Sequence, residues 1–177
     1  MKNIKIRKIR KSDAEQWVKL KNEVWRSAYA HVFPQEVFDK QDAEADSRIE
    51  KFKQRELNKN GDVSFVAEDC GRLVALVGGQ ALSFIDYYKE KGFAELGAIY
   101  IHKDYQNFGL GRKLFDLIVK EFLKQGCTKM VIGVLKDNPQ AHKAYEKWGC
   151  KLDTDFEDMF ERLGRGYPRI FYLFDIE

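Results

Sequence analysis

The chain has 177 residues, 44% hydrophobic and 14% aromatic, and its 31 Lys and Arg against 28 Asp and Glu give a formal net charge of +3. That composition excludes a disordered sequence, and the length suits one domain with a sizeable core. Cys70, Cys127 and Cys150 are scattered and odd in number, and the three histidines are dispersed, so neither a disulfide framework nor a metal site is expected.

No leader-like segment or membrane-length apolar run occurs, which points to a cytoplasmic chain with no membrane partner, and a charge of +3 gives no reason to expect nucleic acid. Along the chain, Lys2 to Lys11 is basic, but Ile4, Ile6 and Ile9 punctuate it as in a strand with one apolar face. Ser12 with Glu15 three residues on reads as a capping box opening a helix, along which Trp17, Leu20, Val24 and Ala28 keep roughly helical spacing. From His31 to Asn60 the pattern loosens around Pro34 and a charged stretch, and one or two helices over one end of a sheet are expected. Val63 to Glu68 and Arg72 to Phe84 are strand-like runs joined by Asp69-Cys70-Gly71, a hairpin signal.

Phe93 to Ile101 is predicted as a further strand, followed by the loop Gln106-Asn107-Phe108-Gly109-Leu110-Gly111-Arg112. A helix then carries Leu110, Leu114, Leu117, Ile118 and Phe122 on one face and ends at Gly126. Lys129 to Leu135 reads as a strand, and Asn138-Pro139 as the N-cap and first residue of a short helix closed by Gly149. Two last strands are expected near Cys150 to Asp155 and Arg169 to Asp175. This order describes a mixed sheet with helices on both faces, an α/β (α+β) architecture, with no repeat or domain linker.

The glycine loop is the most informative stretch. Two glycines two apart, between a strand and a helix, let backbone N–H groups approach an anion at the positive end of the helix dipole. A P-loop would need Gly-Lys-Ser/Thr, whereas Arg112-Lys113 follows Gly111 and the hydroxyl is missing. A dinucleotide fingerprint would need a third glycine, where Leu114 stands. A plain glycine turn is the remaining alternative from the loop alone.

Gln106-x-x-Gly109-x-Gly111 resembles the acyl-CoA pyrophosphate loop of GNAT-type N-acetyltransferases, and Asn138-x-x-Ala141-x-x-x-Tyr145-Glu146-Lys147-x-Gly149 resembles that family's second cofactor motif. The likeness is strong over roughly 63–155. Phe108 stands where the family often has a basic residue or glycine, and Cys150 where it usually has phenylalanine. The resemblance implies a mostly antiparallel sheet of about seven strands, splayed near the cofactor. It divides a single domain, 1–177, into acceptor-side helices (1–60), an acyl-CoA core (63–155) and a C-terminal strand region (156–177). It also implies acetyl-CoA as co-substrate, without a metal. Ile99, Tyr100 and Ile101 would pair with the pantetheine arm, Gln106 and the backbone of Asn107, Phe108, Gly109, Leu110, Gly111 and Arg112 would hold the pyrophosphate, and Asn138 would touch the cofactor near its pantetheine.

Acyl transfer to an amine poses two proton problems. An amine of pKa ~10 is almost wholly protonated at neutral pH, so a base matters by orders of magnitude. Glu95, eleven residues before Gln106, stands where some family members carry a catalytic glutamate; its alternative role is a structural ion pair. Tyr145 matches the tyrosine that points at the CoA sulfur and would protonate the leaving thiolate; alternatively it is a core tyrosine. No histidine accompanies Cys127 or Cys150, so direct attack in a ternary complex is preferred over a covalent acyl-enzyme.

The acceptor is the least legible part. Trp25 and Tyr29, an i, i+4 pair, would wall its pocket or merely cover the sheet. Asp42, Glu44 and Asp46 would attract a polyamine or form a solvated face. The expected partner is a small-molecule or peptide amine. The alternative function is a catalytically silent CoA-binding regulatory module. The aromatic strand Phe171, Tyr172 and Phe174 would complete a core or a dimer face, and the resemblance favours a homodimer.

Overall fold

The computed structural model describes residues 4–177, and Lys2, at the head of the basic run, lies outside them. An eight-stranded sheet runs in the order β1-β2-β3-β4-β5-β8-β6, with β7 also paired to β8. The strands are β1 (Ile4–Lys8), β2 (Asp62–Asp69), β3 (Arg72–Gln80), β4 (Ala94–Ile101), β5 (Lys129–Leu135), β6 (Lys151–Leu152), β7 (Asp158–Arg162) and β8 (Arg165–Asp175). The helices are α1 (Ala14–Tyr29), α2 (Gln35–Ala43), α3 (Ala45–Gln54), α4 (Asp86–Lys89), α5 (Leu110–Lys124) and α6 (Pro139–Lys147). Every strand pair is antiparallel except β4 with β5.

The two faces of the sheet follow from strand alternation. Ala94, Leu96, Ile99 and Ile101 of β4 point to the face covered by α5, whose Leu114, Phe115, Ile118 and Phe122 are fully buried. Each such side chain contributes about 1.5–3 kcal/mol of burial, enough to fix the helix to the sheet. Ala98 and Tyr100 point the other way, toward Leu20 of α1 and Phe52 of α3. Trp25, Phe33, Val37, Phe38 and Leu135 continue that second face as an aromatic cluster.

One irregularity shapes the centre. Gly78 pairs with Ala98 but Gly79 pairs with Leu96, so Gly97 is an extra residue bulging from β4. A Cβ on Gly79 would come within 2.2 Å of the Glu95 carbonyl, so β3 can approach β4 only with glycine there. Beyond the bulge β4 leaves β5: the parallel pairing comprises only Ala94 with Met130 and Glu95 with Val131. β5 meanwhile pairs with β8 along its whole length. The sheet therefore opens into a wedge whose root is at Glu95.

Several sequence expectations are corrected. Ser12 does not cap the first helix; Asp13 closes the turn by accepting from the Arg10 N–H at 2.8 Å and binds Arg7 with both carboxylate oxygens. The run from Arg72 is strand only to Gln80, and Asp86–Lys89 forms a short helix. The C-terminal region holds three strands rather than two. Leu163 and Gly164, at φ 50° and 72°, turn β7 back onto β8, a hairpin without an Asn-Gly signal. Phe171 and Tyr172 are buried, and the C-terminal strand completes the core.

Candidate active site

The wedge between β4 and β5 is the floor of a cleft of about 990 Å³. It takes in the β4 backbone from Leu96 to Ile101, Gly133 to Leu135 of β5, the start of α5, one face of α6, and the α1 and β7 side chains on the opposite side. On its β5 side, β4 past Glu95 pairs with no strand among the described residues, so its backbone groups there are open to an extended ligand.

At one end, the glycine loop divides its labour. Asn107 and Gly109 both have left-handed backbones (φ 64° and 78°), which turn the chain sharply into α5. A Cβ on Gly109 would meet nothing within 4 Å, so this glycine leaves open space over the first-turn N–H groups, which have no intrahelical acceptors. Gly111 is different: a Cβ there would lie 3.0 Å from both Ile101 and Trp148, so it lets β4, α5 and α6 pack together. Gln106 ties the site together instead of reaching freely into it. Its amide donates to the Ile101 carbonyl at 2.9 Å and accepts from Gln140 at 2.8 Å. Arg112 stands at the mouth, bonded to Asp116 at 2.7 Å, and Lys143 and Lys147 of α6 line the same end.

Asn138 opens α6 as its sequence indicates: the side-chain oxygen accepts from Ala141 N–H at 3.1 Å, with Pro139 next. Its amide nitrogen donates to the Tyr29 hydroxyl at 2.9 Å. Two turns along α6, Tyr145 is buried at 6% exposure yet lines the cleft, its ring against Trp148 and Tyr172. Its hydroxyl makes no hydrogen bond to the described residues. Burial pushes the phenol well above its ordinary value, with the neighbouring Tyr29 and Tyr100 adding to the effect, so it keeps its proton.

On the other face of the sheet, the Trp25 indole N–H donates to the Tyr100 hydroxyl at 3.0 Å and its ring stacks on Phe33 at 5.7 Å. Burial pushes the Tyr100 phenol up to about 12 against that bond. Trp25 and Tyr29 thus both pack in the cluster and line the cleft. Lys21, one turn before Trp25, and Phe160, Arg162 and Arg169 from the C-terminal hairpin complete this end. Arg169 chelates both oxygens of Asp158.

Glu95 lies beside the cleft, in an adjoining hollow of about 200 Å³ that shares Gly97 and Ala98 with it. Its carboxylate accepts from the Ser83 hydroxyl at 2.7 Å and the Phe84 N–H at 3.0 Å. Arg169 is held above its ordinary value chiefly by its bonds to Asp158, and the charge of Glu95 contributes, which couples that carboxylate to the cleft wall.

Of the residues singled out from sequence, Ile99, Tyr100, Ile101, Gln106, Asn107, Gly109, Gly111, Arg112, Asn138, Tyr145, Trp25 and Tyr29 meet at one cleft. Phe108 is 75% exposed outside its lining, and the Leu110 side chain is in the core, leaving only backbone for a ligand. Lys21, Lys143, Arg162 and Arg169 were missed. Lys143 and Lys147 stand four apart on α6, and Lys21 four before Trp25, so helical periodicity held a signal for them. Arg162 and Arg169 carry no such signal, because the Leu163-Gly164 turn that pairs their strands lacks one.

Residues 17–150 match the acetyltransferase (GNAT) family, and the chain belongs to that family. A curated relative, the L-amino acid N-acyltransferase MnaT of Escherichia coli K12, is 28% identical over 162 residues, spanning 90% of this chain and 87% of that protein. Among solved structures, YncA of Salmonella typhimurium with acetyl-CoA superposes with a TM-score of 0.72 at 20% identity, covering 98% of this chain and 94% of that one. The PaiA N-acetyltransferase of Thermoplasma acidophilum in complex with coenzyme A gives 0.69 at 16% identity, covering 95% and 98%. These likenesses share the fold described above. No helix among the described residues is long and apolar enough to cross a membrane.

Proposed function

We propose that the protein transfers an acetyl group from acetyl-CoA to a primary amine of a small molecule or peptide, with both substrates bound. The observation that carries this reading is Tyr145: a buried, protonated phenol with no hydrogen-bond partner among the described residues, opening on a wedge that ends at the α5 N-terminus. The cleft fits the cofactor. The left-handed Gly109 turn and the first-turn N–H groups suit a pyrophosphate, and the unpaired β4 edge suits an extended pantetheine. When bound, the thioester supplies the activated acyl group. The chain's own part is to hold it, shield it from water and move two protons.

Tyr145 gives a proton or hydrogen bond to the departing sulfur, and its raised pKa keeps it in the donor form. Glu95 takes the amine's proton through water, since the residue lines the adjoining hollow, which shares Gly97 and Ala98 with the cleft. A covalent acyl-cysteine is disfavoured because burial pushes the Cys150 thiol up to about 12 and raises Cys127 as well. The name of the MnaT relative puts amino acids among the amines to be tried.

Initial rates of thiol release from acetyl-CoA over an amine panel test the proposal. Amine-dependent release with intersecting double-reciprocal lines is expected. Parallel lines would overturn direct attack, and tight CoA binding with no release for any amine would leave a CoA-binding module instead.

A further inference from the structure

The cleft carries two separate sets of cations, and only one of them stands beside the glycine turn. Arg112, Lys143 and Lys147 stand at the α5–α6 end, beside the glycine turn, where a pyrophosphate finds its donors. Lys21 and Arg162 stand on the opposite face of the sheet, with α1 and β7. Lys21 Nζ is 5.9 Å and the Arg162 guanidinium 5.6 Å from the centre of the same Trp25 ring. Arg162 also lies 4.0 Å over Phe160, and its hydrogen bond is to the carbonyl of its neighbour Glu161.

Neither cation has a carboxylate partner among the described residues. The nearby acids are engaged elsewhere: Asp158 by Arg169, Glu44 by Arg48, and Asp42 by Arg26. The pair costs the fold something, since burial lowers both pKa values, with charge repulsion from Arg48 adding to each, and brings Lys21 to about 8. Two desolvated like charges facing one cleft, with Trp25 and Phe160 beside them, form a receptor for an anion on the acceptor.

We propose that the acceptor is an amine carrying its own carboxylate, of the α-amino acid class, and that Arg162 and Lys21 bind that carboxylate while Trp25 and Phe160 flank its side chain. This rests on the acetyl-transfer reading for its biological sense, but the recognition itself is measurable without turnover. Arg162 presents a planar fork suited to a carboxylate, and Lys21 a point charge beside it. An amine without an anion would leave both cations uncompensated, and a polyamine would be repelled.

The test is calorimetric titration of the CoA-loaded protein with each of the twenty L-amino acids, the matching amides and the decarboxylated amines, alongside thiol release from acetyl-CoA. At least one amino acid should bind about 10- to 100-fold more tightly than its amide and its decarboxylated amine, the scale of a charge-assisted hydrogen bond. Arg162→Gln and Lys21→Met, checked for folding by circular dichroism, should each bring the amino acid toward the affinity of its amide. Amides or plain amines that bind as well as amino acids, or no saturable binding by any amino acid, would overturn the assignment. Amino-acid binding without thiol release would sink acetyl transfer and leave the carboxylate site standing; release with uncharged amines in preference would do the reverse.

Discussion

The Asn138 amide donates to the Tyr29 hydroxyl at 2.9 Å across 109 positions of sequence. One residue thereby caps α6, which carries Tyr145, and fixes the end of α1, which walls the other side of the cleft. Tyr29→Phe should cost about 1 kcal/mol, and Asn138→Ala rather more because it also removes a helix cap. The double variant should cost less than the sum in thermal melts, since the two share a bond. Full additivity would show that the bond carries no energy.

The two loop glycines should separate cleanly. Gly111→Ala drives a methyl to 3.0 Å from Ile101 and Trp148, and overpacking of this kind costs about 1–3 kcal/mol of stability. Gly109→Glu meets open space but places a carboxylate over the anion donors, so it should weaken CoA binding ~10-fold or more. Calorimetry and melting curves on both variants check this. A Gly109→Glu protein with unchanged CoA affinity would remove the loop from the cofactor site.

Lys21 carries a pH signature. Its folded pKa, about 8, lies below the unfolded 10.5, so between those values the unfolded chain binds more protons. Burial therefore penalises the fold fully below about pH 8, and the penalty fades as pH rises toward 10.5. Lys21→Met should stabilise the ligand-free protein at pH 7 by ~1 kcal/mol or more and by less at pH 10. Chemical denaturation at the two pH values measures it; a destabilised variant at pH 7 would contradict the reading.

Asp13 behaves in the opposite sense. Burial works to raise its carboxyl, but the bonds from the Arg7 side chain and the Arg10 N–H prevail and hold it below its ordinary 3.8. The stability it contributes is complete above that value and lost as pH falls through the lower folded one. Asp13→Asn removes the charge and turns one of the two oxygens that accept from Arg7 into a donor, so it should cost ~3 kcal/mol at pH 7, read from urea midpoints, with the difference shrinking in acid. Equal midpoints would rule out this ion pair as a fastening of β1 to α1.

Much of the fold and the cofactor end was legible because local chemistry set it. Gly109, Gly126 and Gly149 all adopt positive φ where turns were expected, and the Asn138-Pro139 cap forms as read. The motif pair located the cleft because both cofactor elements flank one strand. What was missed depends on long-range contacts. The β7–β8 turn uses Leu163-Gly164, so no turn signal announced Arg162 and Arg169. Asp13, not Ser12, stands at the head of α1, and its carboxylate is taken by Arg7 of β1 and the Arg10 N–H rather than by the helix. Glu95 lines the adjoining hollow because it alternates with Ala94 and Leu96 along β4, and the Gly97 bulge, which periodicity does not reveal, is what separates that hollow's edge from the regular ladder.

The most direct test of the central claim is the single-turnover rate of acetyl transfer in wild type, Tyr145→Phe and Glu95→Gln. Removing the phenol leaves the ring packing between Trp148 and Tyr172, so acetyl-CoA affinity should hold while the rate falls ~100-fold, the lower range for a lost general acid. Glu95→Gln should slow the reaction most at low pH, where the amine is protonated. Wild-type rates in both variants would contradict the assignment of this cleft's chemistry to Tyr145 and Glu95.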